Sequence, residues 1–380
     1  MNNTIKAILV LVFGISVSNC TAQQLVPKKC YLHLSGTINK EIRIEMNLVK
    51  VNDTLYGDYY ILLKGKIPAG KAYQDGSMIP LYGKVTPAGT FVIKENPWEK
   101  GAVFTGRFQN GTTLSGTWES ADGGIRSPFL VTESYPVGSV PMNVYYLKGS
   151  TPLVKRPGAP RATLEYSMML PAESANPVFS DSLKKLVLQK FADRPVKAGD
   201  PDRVLLGMQQ VFFENYISTN EAIYNQIKGA SFNWQSIKSM NILLNGNGLL
   251  SFYIESYAFT GGAHGMQTRD YITNSLETGR VISLGEIFEG DYETALTAIL
   301  TSKIKAVSNI SQEQKLSASG FFVDEIKPSP NFYITRNGIG FYYNHYEIAP
   351  YSNGPTDLFL PFGEIKKLLK PDSVLKGLLD

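Results

Sequence analysis

The sequence predicts an α+β protein in two unlike halves: an N-terminal antiparallel β meander or small barrel, then a mixed α+β domain. Three observations carry this. Ile42, Ile44, Met46 and Leu48 alternate with Arg43, Glu45 and Asn47, the period of a half-buried strand. Short segments of the form apolar-x-Gly recur at Leu55–Gly57, Leu81–Gly83, Phe104–Gly106 and Leu114–Gly116. Beyond residue 162, helical spacing interleaves with further strands and a hairpin signal.

Residues 1–22 read as an export signal. Lys6 supplies the positive charge, and Ala7–Val17 is an apolar run too short for the ~20 residues that span a bilayer. No later stretch is long and uncharged enough to span, so no transmembrane helix is expected in the mature chain. Two processing routes stay open. Thr21-Ala22 offers a small residue at a cut. Val17-Ser18-Asn19-Cys20 resembles a lipobox that would lipidate Cys20, although Asn19 is larger than the usual Gly or Ala. The expected location is extracytoplasmic: the periplasm, or the outer membrane through a lipid anchor. The chain has two cysteines, and either route leaves Cys30 alone, so no intramolecular disulfide is expected.

The net charge is +4 and the basic residues are dispersed, so no nucleic-acid partner is expected. Residues 30–134 hold the meander. Asn110-Gly111 marks one of its hairpins. Glycines at strand positions are read as bends and the interior as filled by side chains. A small-ligand carrier is the alternative for this half. Pro136, Pro141, Pro152, Pro157 and Pro160 mark residues 135–162 as a linker or extended crossover.

Residues 163–380 form the α+β domain. A strand is expected at Thr163–Met168. Ser180 or Asp181 caps a helix carrying Leu183, Leu186, Val187 and Phe191. Asp200-Pro201 caps a second, whose apolar face is Val204, Leu205, Met208, Val211, Phe212 and Tyr216. Strands follow at Met240–Leu244 and Leu250–Tyr257, and a helix begins at Asp291. Asn337-Gly338 joins a tight hairpin, Leu358–Pro361 is a last strand, and a short helix precedes Pro371.

Chemistry-bearing residues concentrate in two places. One is the glycine-dense run Tyr257-Ala258-Phe259-Thr260-Gly261-Gly262-Ala263-His264-Gly265. The other is Phe341-Tyr342-Tyr343-Asn344-His345-Tyr346-Glu347-Ile348-Ala349-Pro350-Tyr351-Ser352-Asn353-Gly354. The candidate binding residues are Tyr257, Gly261, Gly262, His264, His345, Tyr346, Glu347 and Tyr351. His264, His345 and Glu347 would suit zinc or general acid–base work if they met. No HExxH pattern, G-x-S-x-G elbow or phosphate loop supports a specific chemistry. No catalytic residue, metal or cofactor is therefore assigned. The plain alternative is structural, with His264 packed in its glycine turn and Glu347 accepting hydrogen bonds.

These residues carry a resemblance. Ser251-Phe252-Tyr253-Ile254-Glu255-Ser256-Tyr257 leads to Gly261-Gly262-Ala263-His264-Gly265, and later to Tyr346-Glu347-Ile348-Ala349-Pro350-Tyr351-Ser352 with Gly354. The series resembles the RsiV-like extracytoplasmic domain, which also accompanies the deacetylase PdaC, over about Thr163 to Leu369. The resemblance implies an α+β envelope domain of the kind that binds lysozyme in the anti-sigma member. With no cytoplasmic region before the signal and no catalytic module after residue 380, neither an anti-sigma nor a deacetylase role is expected. The expected function is non-enzymatic recognition of a protein, lysozyme-like, or of a peptidoglycan-type glycan. An envelope hydrolase using His264, His345 and Glu347 is the enzymatic alternative.

Overall fold

Residues 29–133 close into a barrel of eight antiparallel strands: β1 Lys29–Ile38, β2 Ile42–Val51, β3 Thr54–Ile61, β4 Ile79–Val85, β5 Thr90–Glu95, β6 Val103–Gln109, β7 Thr113–Glu119 and β8 Arg126–Glu133. This computed structural model describes residues 27–63, 73, 75–96, 100–172, 177–193, 195, 199–224, 226–227 and 231–379. The expected signal segment, with Cys20, lies outside them. β1 closes the barrel on β8 in the register Leu34↔Glu133 to Ile38↔Phe129.

The barrel closes because its glycines let strands approach. Gly106 and Gly116 face each other across β6 and β7. A Cβ on Gly116 would stand 1.9 Å from the Thr105 carbonyl oxygen and 2.6 Å from Gly106 Cα. At Gly106 and Gly116 the glycines serve close approach of paired strands rather than the expected bends, since the β6–β7 register runs through them unbroken. Gly116→Ala should therefore destabilise the protein by about 3 kcal/mol through overpacking, read as a lower urea midpoint at constant slope.

Apolar side chains fill the interior. Phe104 meets Tyr59 and Phe129 edge to face, at 5.4 and 5.0 Å between ring centroids. Phe91 packs on Phe108 in the same way. The buried Glu95 carboxylate accepts from the Tyr59 and Tyr73 hydroxyls, Trp118 Nε1 and the Ala102 amide. This packing tells against the carrier reading, since aromatic side chains occupy the space a ligand would need.

The second half holds a five-stranded sheet, a three-stranded sheet and their helices. The larger sheet runs in the order β13-β12-β11-β10-β9, from β9 Met142–Pro152, β10 Arg161–Pro171, β11 Trp234–Gly246, β12 Leu249–Phe259 and β13 Met266–Ser275. Only the β10–β11 pair is parallel among these strands. Its crossover carries helices α1 Pro177–Ala192 and α2 Pro201–Asn220. α1 starts ahead of the expected Ser180 or Asp181 cap. Asp200 caps α2 by accepting from the Asp202 amide. Leu183, Val187, Phe191 and Leu205 pack on Met168, Met240, Ile242 and Phe252 of the sheet. Val211, expected on the buried face of α2, is exposed.

The smaller sheet is β14 Phe332–Ile334, β15 Gly338–Tyr343 and β16 Thr356–Pro361. Helix α3, Tyr292–Val307, covers it with Leu296, Leu300 and Ile304. Its expected cap holds, with Asp291 accepting from the Thr294 amide. Asn337-Gly338 does sit in a hairpin, but neither residue takes a left-handed φ. Instead the Asn337 side chain reaches the barrel, donating to the Ile61 and Gly76 carbonyls and accepting from the Leu63 amide.

The expected linker over 135–162 needs correction. Strand β9 lies inside it and pairs with β10 from Met142↔Pro171 to Pro152↔Arg161. Its prolines misled because an edge strand tolerates them: Pro141 precedes β9, Pro152 ends it, and Pro157 and Pro160 lie in the turn. The stretch from the barrel is also pinned, since Asn245 bonds both backbone groups of Val140.

Barrel and sheets meet along the outward residues of β2 and β3. Glu45, Asn47 and Asp58 lie on this outer face yet are buried. Asn47 donates to the Leu243 carbonyl and accepts from the Tyr31 hydroxyl. Glu45 takes the Tyr60 hydroxyl at 2.6 Å and the Arg336 guanidinium at 3.0 Å. Tyr56 bonds Ser167 at 2.6 Å. Asp58 accepts from the Tyr253 hydroxyl at 3.2 Å. Burial raises the Asp58 carboxyl to about 7, against the pull of Arg269 and the Tyr253 hydrogen bond.

Candidate functional site

Strand β12 ends at Phe259, and Gly261 and Gly262 turn the chain through left-handed φ values of 98° and 92°. The loop returns as β13 at Met266. Gly265 lies on the Tyr257 ring, and a Cβ there would meet ring atoms at 2.5 Å. Any side chain there would have to push the Tyr257 ring aside.

β15 delivers the second motif. Asn344 follows it directly, and its side-chain amide grips β13: Oδ1 accepts from the Arg269 amide at 2.8 Å and Nδ2 donates to the Arg269 carbonyl at 3.1 Å. Asn331 makes the matching pair one step along, accepting from the Tyr271 amide and donating to the Arg269 carbonyl. The two asparagines satisfy backbone groups that an outer strand would otherwise expose. They also fix the segment after Asn344 against the glycine loop.

The motifs meet at Tyr351. His264 stacks on its ring at 4.0 Å and 21°, and His345 at 4.3 Å and 19°. Two rings can each lie parallel and this close only on opposite faces, so Tyr351 stands between the imidazoles. The Tyr351 hydroxyl donates to the Gly265 carbonyl at 3.0 Å. His264 Nδ1 lies 2.9 Å from the same carbonyl. A carbonyl can only accept, so Nδ1 carries the proton in that bond. His345 Nδ1 is buried and has no hydrogen-bond partner among the described residues.

Tyr346 sits beside the stack, 5.8 Å from Tyr351 between centroids. Its φ is +68° and it is 51% exposed. Most other non-glycine residues with positive φ here are asparagines, which tolerate that region far better than tyrosine does. Glu347 is exposed and lies 3.5 Å from Asn344 Nδ2.

The candidates therefore divide. His264, His345, Tyr346 and Tyr351 form one surface, with Tyr257 beneath the Gly265 turn. Glu347 stands at the edge. Gly261 and Gly262 line a neighbouring groove of about 510 Å³ with Asn220, Ile223, Phe232 and Trp234. The interposed Tyr351 ring tells against a zinc or proton-transfer centre built on both histidines. The structural expectation for His264 also changes: it is an exposed stacked ring, not one packed in its turn. Sequence reasoning passed over Arg269 and Asn331.

An α+β domain with two loop motifs joined in a His–Tyr–His stack is the class this half defines. Its affiliation follows from comparison. The C-terminal half carries a PdaC-like domain, matching the family described as deacetylase PdaC over residues 162–267, and a DUF3298 domain, of a family of unknown function, over residues 285–363. His264 falls in the first match; His345 and Tyr351 fall in the second. A crystal structure of a DUF3298-family member from Bacteroides fragilis superposes with a TM-score of 0.59 at 25% identity, covering 64% of this chain and 98% of that one. A DUF3298-family protein from Pseudomonas aeruginosa gives 0.44 at 19% identity, covering 61% and 95%. Nothing among curated proteins matches. No helix among the described residues is long and apolar enough to cross a membrane.

Proposed function

We propose that this protein is a non-enzymatic recognition protein of the bacterial envelope, binding a protein or a cell-wall glycan through the surface of His264, His345, Tyr346 and Tyr351. Export would follow from the signal segment, with Cys20 as a candidate lipid anchor. The observation that carries the reading is Tyr346. Holding a bulky side chain at left-handed φ costs on the order of 1 kcal/mol or more, and here the side chain so held is half exposed beside a stacked column. Strain at an exposed aromatic is the pattern of a contact residue, not a packing residue.

The test is titration of the purified mature chain with lysozyme and, separately, with muropeptides. Binding to at least one is expected. Tyr346→Gly should weaken it about tenfold or more while raising the melting temperature, because glycine relieves the strain. No binding to either ligand at high micromolar concentration, or full binding by Tyr346→Gly, would overturn the proposal.

A further inference from the structure

Arg269 links the barrel's outer wall to the support of the histidine–tyrosine surface: it lies over Tyr253, whose hydroxyl donates to Asp58 of the barrel. Its guanidinium lies 2.5 Å from Glu255 Oε2 and over the rings of Tyr253 and Tyr342, at 5.0 and 5.8 Å from their centroids. Asp58 of the barrel and Asp357 of β16 both feel its charge. One cation thus faces three carboxylates. Its backbone N–H and C=O meanwhile hold Asn344, which leads into His345–Gly354.

Asp58 is 1% exposed, and its carboxylate has only the Tyr253 hydroxyl as donor among the described side chains. The titratable and charged groups that act on it are Tyr253 and Glu255 on β12, Arg269 on β13, Tyr333 on β14 and Asp357 on β16; Tyr271 and Tyr342 pack behind them. Its neighbours within the barrel, Asn47 and Pro80, are uncharged. A protonated Asp58 suits this setting. An ionised one needs more donors, and can gain them only by drawing Arg269 from Glu255 or by admitting water between barrel and sheet. Both displace β13.

We propose that this junction is a proton-controlled clamp: with Asp58 protonated, β13 is held firmly against Asn344 and the loop it carries, and loss of that proton loosens both. Burial lifts the Asp58 carboxyl to about 7, so the change falls near neutral pH. The sign is fixed by linkage. The folded form binds the proton more tightly than the unfolded chain, whose ordinary value is 3.8. The stabilisation is complete below that value and is lost as pH rises through about 7.

The test is hydrogen exchange on the full chain from about pH 5 to about pH 8.5, corrected for intrinsic rates. The Arg269 and Tyr271 amides and residues 344–353 should lose about tenfold in protection across the transition. Burial lifts the Asp357 carboxyl to about 7 as well, beside the same guanidinium, so Asp58→Asn, which keeps an acceptor for Tyr253, should shrink the pH dependence, and Asp58→Asn with Asp357→Asn should abolish it. Glu255→Gln removes a competing negative charge and frees Arg269 for Asp58, so its midpoint should move to lower pH. Flat protection in the parent protein, an unchanged transition in Asp58→Asn, or an unmoved or raised midpoint in Glu255→Gln would overturn the clamp.

Discussion

Arg269→Ala is expected to remove about 2–3 kcal/mol of stability, between the costs of breaking a surface pair and a fully buried one, because the stranded Glu255 keeps 30% of its side chain exposed. The side chain is 19% exposed and pairs with Glu255 at 2.5 Å. Its loss also deprives Tyr253 and Tyr342 of a cation over their faces, worth about 1 kcal/mol each when desolvated. The Asn344 bonds use the Arg269 backbone, so alanine retains them. The deficit therefore reports the side chain alone. Arg269→Met should recover part of it by filling volume without restoring charge. The deficit should also shrink at pH 5, where Asp58 keeps its proton with or without the guanidinium. Urea denaturation of both variants at pH 5 and pH 8 reads all three effects. Equal losses at the two pH values would mean that Arg269 acts through Glu255 only and that Asp58 does not sense it.

Much of the architecture was legible because local rules and tertiary packing agree. Alternation in Ile42–Leu48 matches β2, Asn110-Gly111 turns with φ values of 49° and 74°, and Asp200-Pro201 opens α2. Where a segment faces another body instead of solvent, the rules lost their grip. β13 was missed because Gln267, Thr268, Arg269 and Asp270 look like a loop; their partners are Glu255, two asparagine side chains and a second sheet. β9 was missed because its prolines sit at its ends. The polar outer face of the barrel would suit solvent, yet Glu45, Asn47 and Asp58 are buried by residues some 200 or more positions away.

The candidate site was legible in a different way. Both motifs were visible as unusual runs of glycine, histidine and tyrosine, and they do converge. What they build was not visible. Histidines beside a carboxylate suggest proton transfer, whereas a tyrosine between two histidines forbids direct exchange and makes a ring column instead. Tyr351 is among the candidates in the sequence, but nothing there marks it as the residue both histidines stack on. Only the three-dimensional return of β15 past β13, enforced by Asn331 and Asn344, puts its two faces to use.

Arg336→Ala should cost about 3 kcal/mol and, beyond that, change how the protein unfolds. Arg336 leaves the β14–β15 hairpin and meets Glu45 on the barrel at 3.0 Å, where Glu45 is 9% exposed at its side chain and also takes the Tyr60 hydroxyl. Removing the guanidinium strands a buried carboxylate with one neutral donor. Glu45→Gln should cost less, because an amide needs no counter-charge, and the pair Glu45→Gln with Arg336→Met should be more stable than Arg336→Ala alone. This contact adds to apolar ones between barrel and sheets: the inner cores are distinct, Phe104 and Phe129 in the barrel and Phe341 and Leu360 in the small sheet, but Met78 beside β4 packs with Tyr333, Tyr342 and Phe359. If polar contacts such as this one make the halves cooperative, the parent protein melts in one transition and Arg336→Ala in two, the barrel separating from the rest. Calorimetry distinguishes the cases directly, since a calorimetric enthalpy above the van't Hoff value in the variant alone would mark the split. A single transition in every variant would assign the cooperativity to the continuous apolar contact of Tyr31, Val49 and Val51 with the large sheet instead.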